Sequence, residues 1–396
     1  MRIHWKPAWI VGAALSLAAS SARAQTCPTA TYPGADWDTS LVATTAATKQ
    51  ADINKLEQLM FTRATPESDR AGIRTDGLVI IKGGKLIYEK YADAQGWSAD
   101  KRHLMWSVSK SVSEATIGIA VHQGKLVVGD SVCKWYRAQI PDSNCGITVQ
   151  HLLEMGSGLD WTELYEDKSN QDSSVLAMIY GQGRSDMALF TLSHTAAGPP
   201  GSRWRYSTGE STVLSAIAGQ ALSADHGDKW PWKVLFDPIG AKKVTWERDP
   251  AGNYIGGSYV HFTPRDAARF GWLYRNDGCW NGTRLLPEGW VAESTTKLNA
   301  SFLKVRDDYG KGDRYGRQWW LNLPFTNADT EETDALAYPD APQDLFAALG
   351  HWGQQIWVIP SQDMVVVRVG DDRDGSYDME KRNEMLKLAI TIGSLQ

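Results

Sequence analysis

A lysine stands three residues after a serine at several places in the chain, among them Ser98-Ala99-Asp100-Lys101, Ser107-Val108-Ser109-Lys110, Ser294-Thr295-Thr296-Lys297 and Ser301-Phe302-Leu303-Lys304. On a helix this spacing puts both side chains on one face, with Cβ atoms roughly 5–6 Å apart. A serine hydroxyl attacks a carbonyl only when a base takes its proton, and a neutral lysine is such a base. Ser107 stands apart from the other three. It follows Met105 and Trp106 and heads a segment to His122 with Val108, Val112, Ala115 and Ile119 and no proline, then Gly124. That pattern predicts a helix with Gly124 as its C-terminal cap. In its first turn, unpaired backbone N–H groups and the positive end of the macrodipole suit negative charge on a reacting oxygen. Ser98 precedes charged residues, and Ser294 and Ser301 fall in polar stretches. The competing use of Ser107 is a plain helix N-cap.

The elements that must position such a pair can be read around it. Gly77–Ile81 and Leu86–Tyr91 are β-branched or aromatic runs joined through Gly83-Gly84, a hairpin. Gln355–Ile359 and Met364–Val369 form a second hairpin about Pro360-Ser361-Gln362-Asp363, and residues 378–392 read as a helix. Between them, Thr148 caps a short helix that Gly156-Ser157-Gly158 stops. Thr263-Pro264 opens another that ends near Asn276-Asp277-Gly278. The expectation is an α/β (α+β) chain, a central antiparallel sheet flanked by helices plus a mostly helical lobe. The sheet draws on both chain ends, with an α/β lobe from 71–123 and 259–396, a helical lobe from 124–258 and an N-terminal arm over 25–70.

Residues 1–24 have the make-up of a secretory signal: Arg2 and Lys6, an apolar run from Ala8 to Ala19, then Ala22-Arg23-Ala24. The run is too short for a bilayer of about 30 Å, which needs about 20 residues. A soluble periplasmic or secreted protein is expected. Loss of residues 1–24 would lower Lys+Arg from 41 to 38 against 46 Asp+Glu, a net charge of −8, which argues against a nucleic-acid partner. Four cysteines in an exported chain suggest disulfides more than free thiols or metal ligands. Cys133 and Cys145 bracket a short turn-rich segment and are paired first, leaving Cys27 with Cys279. Cys-x-x-Cys and His-Glu-x-x-His are absent from the sequence, and neither a metal nor a cofactor is expected.

Two further motifs give Ser107 its context. About a hundred residues on comes Pro200-Gly201-Ser202-Arg203-Trp204-Arg205-Tyr206-Ser207-Thr208-Gly209-Glu210, and near the C-terminus His351-Trp352-Gly353. With Ser107-Val108-Ser109-Lys110, these resemble in order and spacing the serine β-lactamase and penicillin-binding superfamily. The likeness is to its class C-like branch of carboxylesterases and 6-aminohexanoate-dimer hydrolases, and it covers about residues 70 to 395. It implies a β-lactamase-like fold, with Ser107 as nucleophile, Lys110 as base and Tyr206 as proton relay. It also implies an oxyanion hole from the backbone N–H groups of Ser107 and Gln354, and a close approach of Gly353 to substrate on a strand.

Tyr165, in Trp161-Thr162-Glu163-Leu164-Tyr165, resembles the loop tyrosine that amide-cleaving members place over the reacting group. Tyr165, His351, Trp352 and Gly353 are thus the expected substrate contacts, and Glu166–Asn170 is read as a solvated loop. Trp106, Trp161, Trp204 and Trp352 adjoin the motifs and suggest an aromatic-walled cleft. Thr208 stands where the lactamases carry Asn, and His351 where they carry Lys, which points from β-lactams towards a small-molecule ester or linear amide. The alternatives are a DD-peptidase, D-aminopeptidase or β-lactamase acting on cell-wall-like substrates, and a non-catalytic binding module of the same fold. The sequence leaves the natural substrate and the oligomeric state open.

Overall fold

The computed structural model describes residues 27–63, 66, 70–166, 168–298, 314–324 and 336–394; the signal-like segment 1–24 and the Ser301–Lys304 pair lie outside them. Two strands, Thr75–Lys82 (β1) and Lys85–Tyr91 (β2), form the first hairpin. Gly83 and Gly84 turn it at φ +58° and +78°, and a Cβ on Gly84 would come within 2.3 Å of the Thr31 carbonyl oxygen. The other strands of the same sheet come from the C-terminal part: Trp320–Leu321 (β3), Phe346–Gly350 (β4), Gln354–Ile359 (β5) and Met364–Gly370 (β6). Together they make a six-stranded sheet in the order β2-β1-β6-β5-β4-β3, antiparallel throughout.

Central strands rich in Val and Ile, buried on both faces, require a layer on each side. Alternation along β1 and β6 assigns the layers, since successive side chains point to opposite faces. Leu78, Ile80 and Val366 share a core with Ile53, Leu56 and Met60 of helix α1 (Val42–Phe61) and with Met385, Leu386 and Ala389 of the C-terminal helix Met379–Gly393. Val79, Ile81, Val365 and Val367 share another with helix α2 (Val108–His122), helix α3 (Thr208–His226) and helix α4 (Pro264–Arg275), the C-terminal helix being α5. The segment over 25–70, uninformative as sequence, supplies α1, half the cover of one face.

Helix α2 is buried from Val108 to Ala120, so its polar side chains must be satisfied inside the protein. Ser111 donates to Gln318 O (2.7 Å) and Ser113 to Gly256 O (2.8 Å). Glu114 accepts from Ser294 Oγ at 2.6 Å and from the Tyr274 hydroxyl, and burial pushes its carboxyl up to about 7. This commits Ser294 to the core and removes it as a nucleophile. Lys101 Nζ likewise lies on Gly96 O (3.1 Å) and over the Trp97 ring.

His351-Trp352-Gly353 departs from its expected place on a strand. It forms the reversal between β4 and β5, because Trp352 (φ +56°) and Gly353 (φ +90°) adopt left-handed backbone that a strand cannot hold. Among the described residues no helix is long and apolar enough to cross a membrane. Both expected disulfides are present, Cys27–Cys279 and Cys133–Cys145, closing separations of 252 and 12 residues. Cross-linking a longer loop removes more unfolded-chain entropy, so replacing Cys27 and Cys279 with alanine should cost about 2–5 kcal/mol and more than the same change at Cys133 and Cys145. Urea unfolding of the two double variants measures the difference, and a larger loss at Cys133–Cys145 would contradict it.

Candidate active site

Ser107 immediately precedes α2 with helical backbone angles (φ −66°, ψ −8°), and its hydroxyl makes no capping bond. The structure therefore does not use it as an N-cap. Lys110 Nζ lies 3.0 Å from Ser107 Oγ, 2.8 Å from Thr208 Oγ1 and 2.9 Å from Gly257 O, and 4.8 Å above the Tyr206 ring centroid. Lys110 is 1% exposed. Burial lowers its pKa to about 8, against the opposing pull of the Glu163 charge. An amine of that pKa is neutral in about one molecule in ten at pH 7.

The first turns of α2 and α3 meet here because each is fixed independently. Ser207 caps α3 through the Glu210 N–H at 3.0 Å, which places Thr208 at the helix start. Gly257 has no side chain to spare: a Cβ would stand 2.4 Å from Thr208 Cγ2, so only glycine brings this carbonyl to Lys110. Before the nucleophile, Trp106 holds a left-handed φ of +47° and turns its ring edge to His351 (5.7 Å) and Trp352 (5.3 Å).

A cavity of about 590 Å³ opens onto this group, bounded by Trp106, Ser107, Tyr165, Tyr206, Gly350 and His351, with Leu164, Trp320, Leu349 and Met379 adding apolar surface and Lys168, Arg314 and Arg382 charge. Tyr165 donates to Glu163 Oε1 at 2.9 Å, approaches Thr208 Oγ1 at 3.2 Å and stacks on His351 at 5.4 Å. Burial raises its phenol well above the usual range. His351 Nε2 meets Glu166 Oε1 at 2.8 Å, and burial lowers the imidazole pKa despite that carboxylate. Glu166 is thus engaged at the cavity rim, where the sequence suggested only a solvated loop.

Ser107, Lys110, Tyr206, Tyr165 and His351 come together. Trp352, Gly353 and Gln354 do not line the cavity. The Trp352 ring is covered by Arg373 at 3.8 Å, and a Cβ on Gly353 would meet Arg368 Nη1 at 2.0 Å. The Gln354 side chain braces the turn, donating to Gly370 O (2.6 Å) and His351 O (3.1 Å). Of the four tryptophans expected to wall the cleft, Trp106 does so; the other aromatic walls are Tyr165, Tyr206, Trp320 and Tyr338. Trp161 and Trp204 are core residues.

Sequence reasoning missed Glu163. It is 3% exposed and sits between Thr208, Trp161 and Tyr165. An acid flanked at two residues on either side by aromatics was the available signal. Gly257, which carries no motif, was missed as well.

A central antiparallel sheet between helices, with serine and buried lysine at the start of α2, is the architecture of a serine hydrolase. The profile of the beta-lactamase family matches residues 54–389, and the chain belongs to that family. It is similar to the 6-aminohexanoate-dimer hydrolase of Paenarthrobacter ureafaciens, 22% identical over 304 residues, spanning 74% of this chain and 72% of that protein. Among solved structures it resembles one assigned as a 6-aminohexanoate-dimer hydrolase from Bacillus anthracis (TM-score 0.61, 20% identity, 85% of each chain). It also resembles a class C beta-lactamase (TM-score 0.57, 14% identity, 90% of this chain and 97% of that one). These two likenesses show the fold.

A lowered lysine pKa means that the unfolded chain holds the proton more tightly, so burying Lys110 costs stability in full below about pH 8 and progressively less as pH rises towards 10.5. NMR of protein carrying labelled lysine side chains should find one ε-methylene resonance titrating near pH 8 that disappears in Lys110→Met. Titration of every lysine above pH 10 would contradict the geometry.

Proposed function

We propose that this protein is an exported serine hydrolase that cleaves an ester or a linear amide through an acyl-enzyme on Ser107. The observation that carries the proposal is the 3.0 Å contact between the Ser107 hydroxyl and a buried amine with pKa about 8. Lys110 takes the hydroxyl proton as the Ser107 oxygen bonds to the substrate carbonyl carbon. Tyr206, whose ring lies under the same amine, relays that proton from Lys110 to the leaving alkoxide or amine as its bond to the carbonyl breaks. Water then releases the acid by the reverse proton path. The Ser107 backbone N–H, at the positive end of α2, is one oxyanion donor, whereas the Gln354 N–H expected as the second belongs to a residue that does not line the cavity.

Thr208 occupies the Asn position of the lactamases and is engaged with Lys110 and Glu163. His351 occupies the cation position, with its pKa lowered and Glu166 beside it. Neither offers a positive partner to the carboxylate of a β-lactam. The relative's name, a hydrolase of the 6-aminohexanoate dimer, adds weight to a linear amide. Export rests on the signal-like residues 1–24 together with the two disulfides.

Short-chain p-nitrophenyl esters should be hydrolysed, a linear amide more slowly, and nitrocefin weakly or not at all. Fast nitrocefin turnover would overturn the substrate assignment. Ser107→Ala and Lys110→Ala should each lower kcat by about 10²-fold or more. Near-normal turnover in either would remove the mechanism, and failure of a fluorophosphonate to label Ser107 would favour a binding module.

Because only the neutral amine accepts a proton, kcat/KM should rise with pH and reach half its plateau near pH 8. A profile flat from pH 6 to 9 would exclude Lys110 as the base. Tyr165→Phe should lower amide turnover more than ester turnover, and equal effects would confine Tyr165 to packing.

A further inference from the structure

The carboxylate of Glu163 is surrounded by hydrogen-bond donors. Oε2 accepts the Thr208 backbone N–H at 2.9 Å and the Trp161 indole N–H at 2.6 Å. Oε1 accepts the Tyr165 hydroxyl at 2.9 Å and the Thr208 hydroxyl. Thr208 Oγ1 also lies 2.8 Å from Lys110 Nζ.

Counting protons along this chain of contacts gives it a direction. A threonine hydroxyl has one hydrogen, and a carboxylate can only accept. With that hydrogen held by Glu163, Thr208 Oγ1 offers Lys110 lone pairs alone. The Gly257 carbonyl, 2.9 Å from Nζ on another side, also only accepts. A neutral amine has two N–H bonds and one lone pair. Both N–H bonds are then committed, to Thr208 and Gly257, and the lone pair is left for the third neighbour, the Ser107 hydroxyl at 3.0 Å.

We propose that Glu163 is a positioning residue for acyl transfer, which fixes the direction of the Thr208 hydroxyl and thereby aims the Lys110 lone pair at Ser107. This inference rests on the reading of Lys110 as the base. Once Lys110 has taken the serine proton, its three N–H bonds face the same three oxygens, so the framework receives the proton without rearranging. The carboxylate also favours the ammonium that forms.

Glu163→Gln tests the direction at constant shape. Thr208 N–H and Trp161 N–H can only donate, so the amide oxygen must face them. Its N–H groups then face the hydroxyls and turn the Thr208 proton towards Lys110, which occupies the lone pair. The variant should lose about 10²-fold in kcat with KM nearly unchanged. Its rising pH limb should also move below that of the wild type, because the charge that favoured the ammonium is gone. If Glu163 acts through Thr208, the same substitution in a Thr208→Val background should cost no more than about threefold. Unchanged kcat with an unmoved limb, or an equal loss in both backgrounds, would overturn the proposal.

Should Glu163→Gln fail to melt cooperatively, Thr208→Ser and Thr208→Val replace it. Serine keeps a hydroxyl for Glu163 to orient and should exceed valine at least about tenfold in kcat, as expected of an acid–base contribution; equal activities would overturn the proposal. Wild-type turnover in Lys110→Ala would instead defeat the underlying reading. Loss of turnover in Lys110→Ala with full turnover in Glu163→Gln would defeat this inference alone.

Discussion

An amine taken wholly out of water needs a partner for every N–H bond, and that requirement at Lys110 organises the centre of this protein. A desolvated ammonium without compensation costs several kcal/mol. Here three oxygens from three separate segments meet it: Ser107 on its own helix, Thr208 at the start of α3 and the Gly257 carbonyl. Each segment is fixed by contacts of its own, the Ser207 cap on α3 and the close fit of Gly257 against Thr208 among them. The amine joins elements that are already placed. Desolvation then does chemical work, since it brings the lysine into the range where a neutral fraction exists near neutral pH.

A second buried charge does for the sheet what Lys110 does for the helices. Arg368, on the central strand β6, is fully buried and forms a two-pronged pair with Asp372 while donating to Thr75 Oγ1 (2.9 Å) and Gly353 O (3.0 Å). Such a pair adds little net stability over apolar packing, but breaking one half is costly. Its consequence here is geometric. It anchors the turn that carries His351 to the middle of the sheet, so one wall of the cavity is referred to the same rigid body that supports α2.

The legibility of these features follows from the range of the interactions. Ser107 and Lys110 are three residues apart on one helix, and the two hairpins and the caps at Thr148 and Thr263 are set by neighbours, so local rules expose them. The contact between Lys110 and Gly257 spans 147 residues and that between Thr208 and Glu163 spans 45, with no periodicity to mark either. Glu163 therefore passed as one polar residue in an aromatic stretch. A strand at His351-Trp352-Gly353 is what the resemblance implies, whereas the left-handed angles at Trp352 and Gly353 belong to a reversal that Arg368 and Asp372 hold. Over residues 25–70 nothing local announced α1, whose role is to cover sheet that the distant C-terminus builds.

The two departures from the lactamase pattern bear on one another through Tyr165. Its hydroxyl joins the Glu163 and Thr208 pair, while its ring stacks on His351. One side chain thus links the oxygen network behind the nucleophile to the cavity wall in front of it. A lysine at position 351 would bring a cation against that ring and beside Glu166, and an asparagine at 208 would put a donating NH2 and an accepting amide oxygen between Glu163 and the lysine amine. The change at 208 alters proton placement around Lys110, and the change at 351 reaches it only through Tyr165. Thr208, His351, Tyr165 and Glu163 are therefore better understood as one mutually dependent set than as separate losses of β-lactam contacts. That set lacks the amide and the cation that the lactamase pattern places at 208 and 351, while the cations that line the cavity, Lys168, Arg314 and Arg382, come from other parts of the chain.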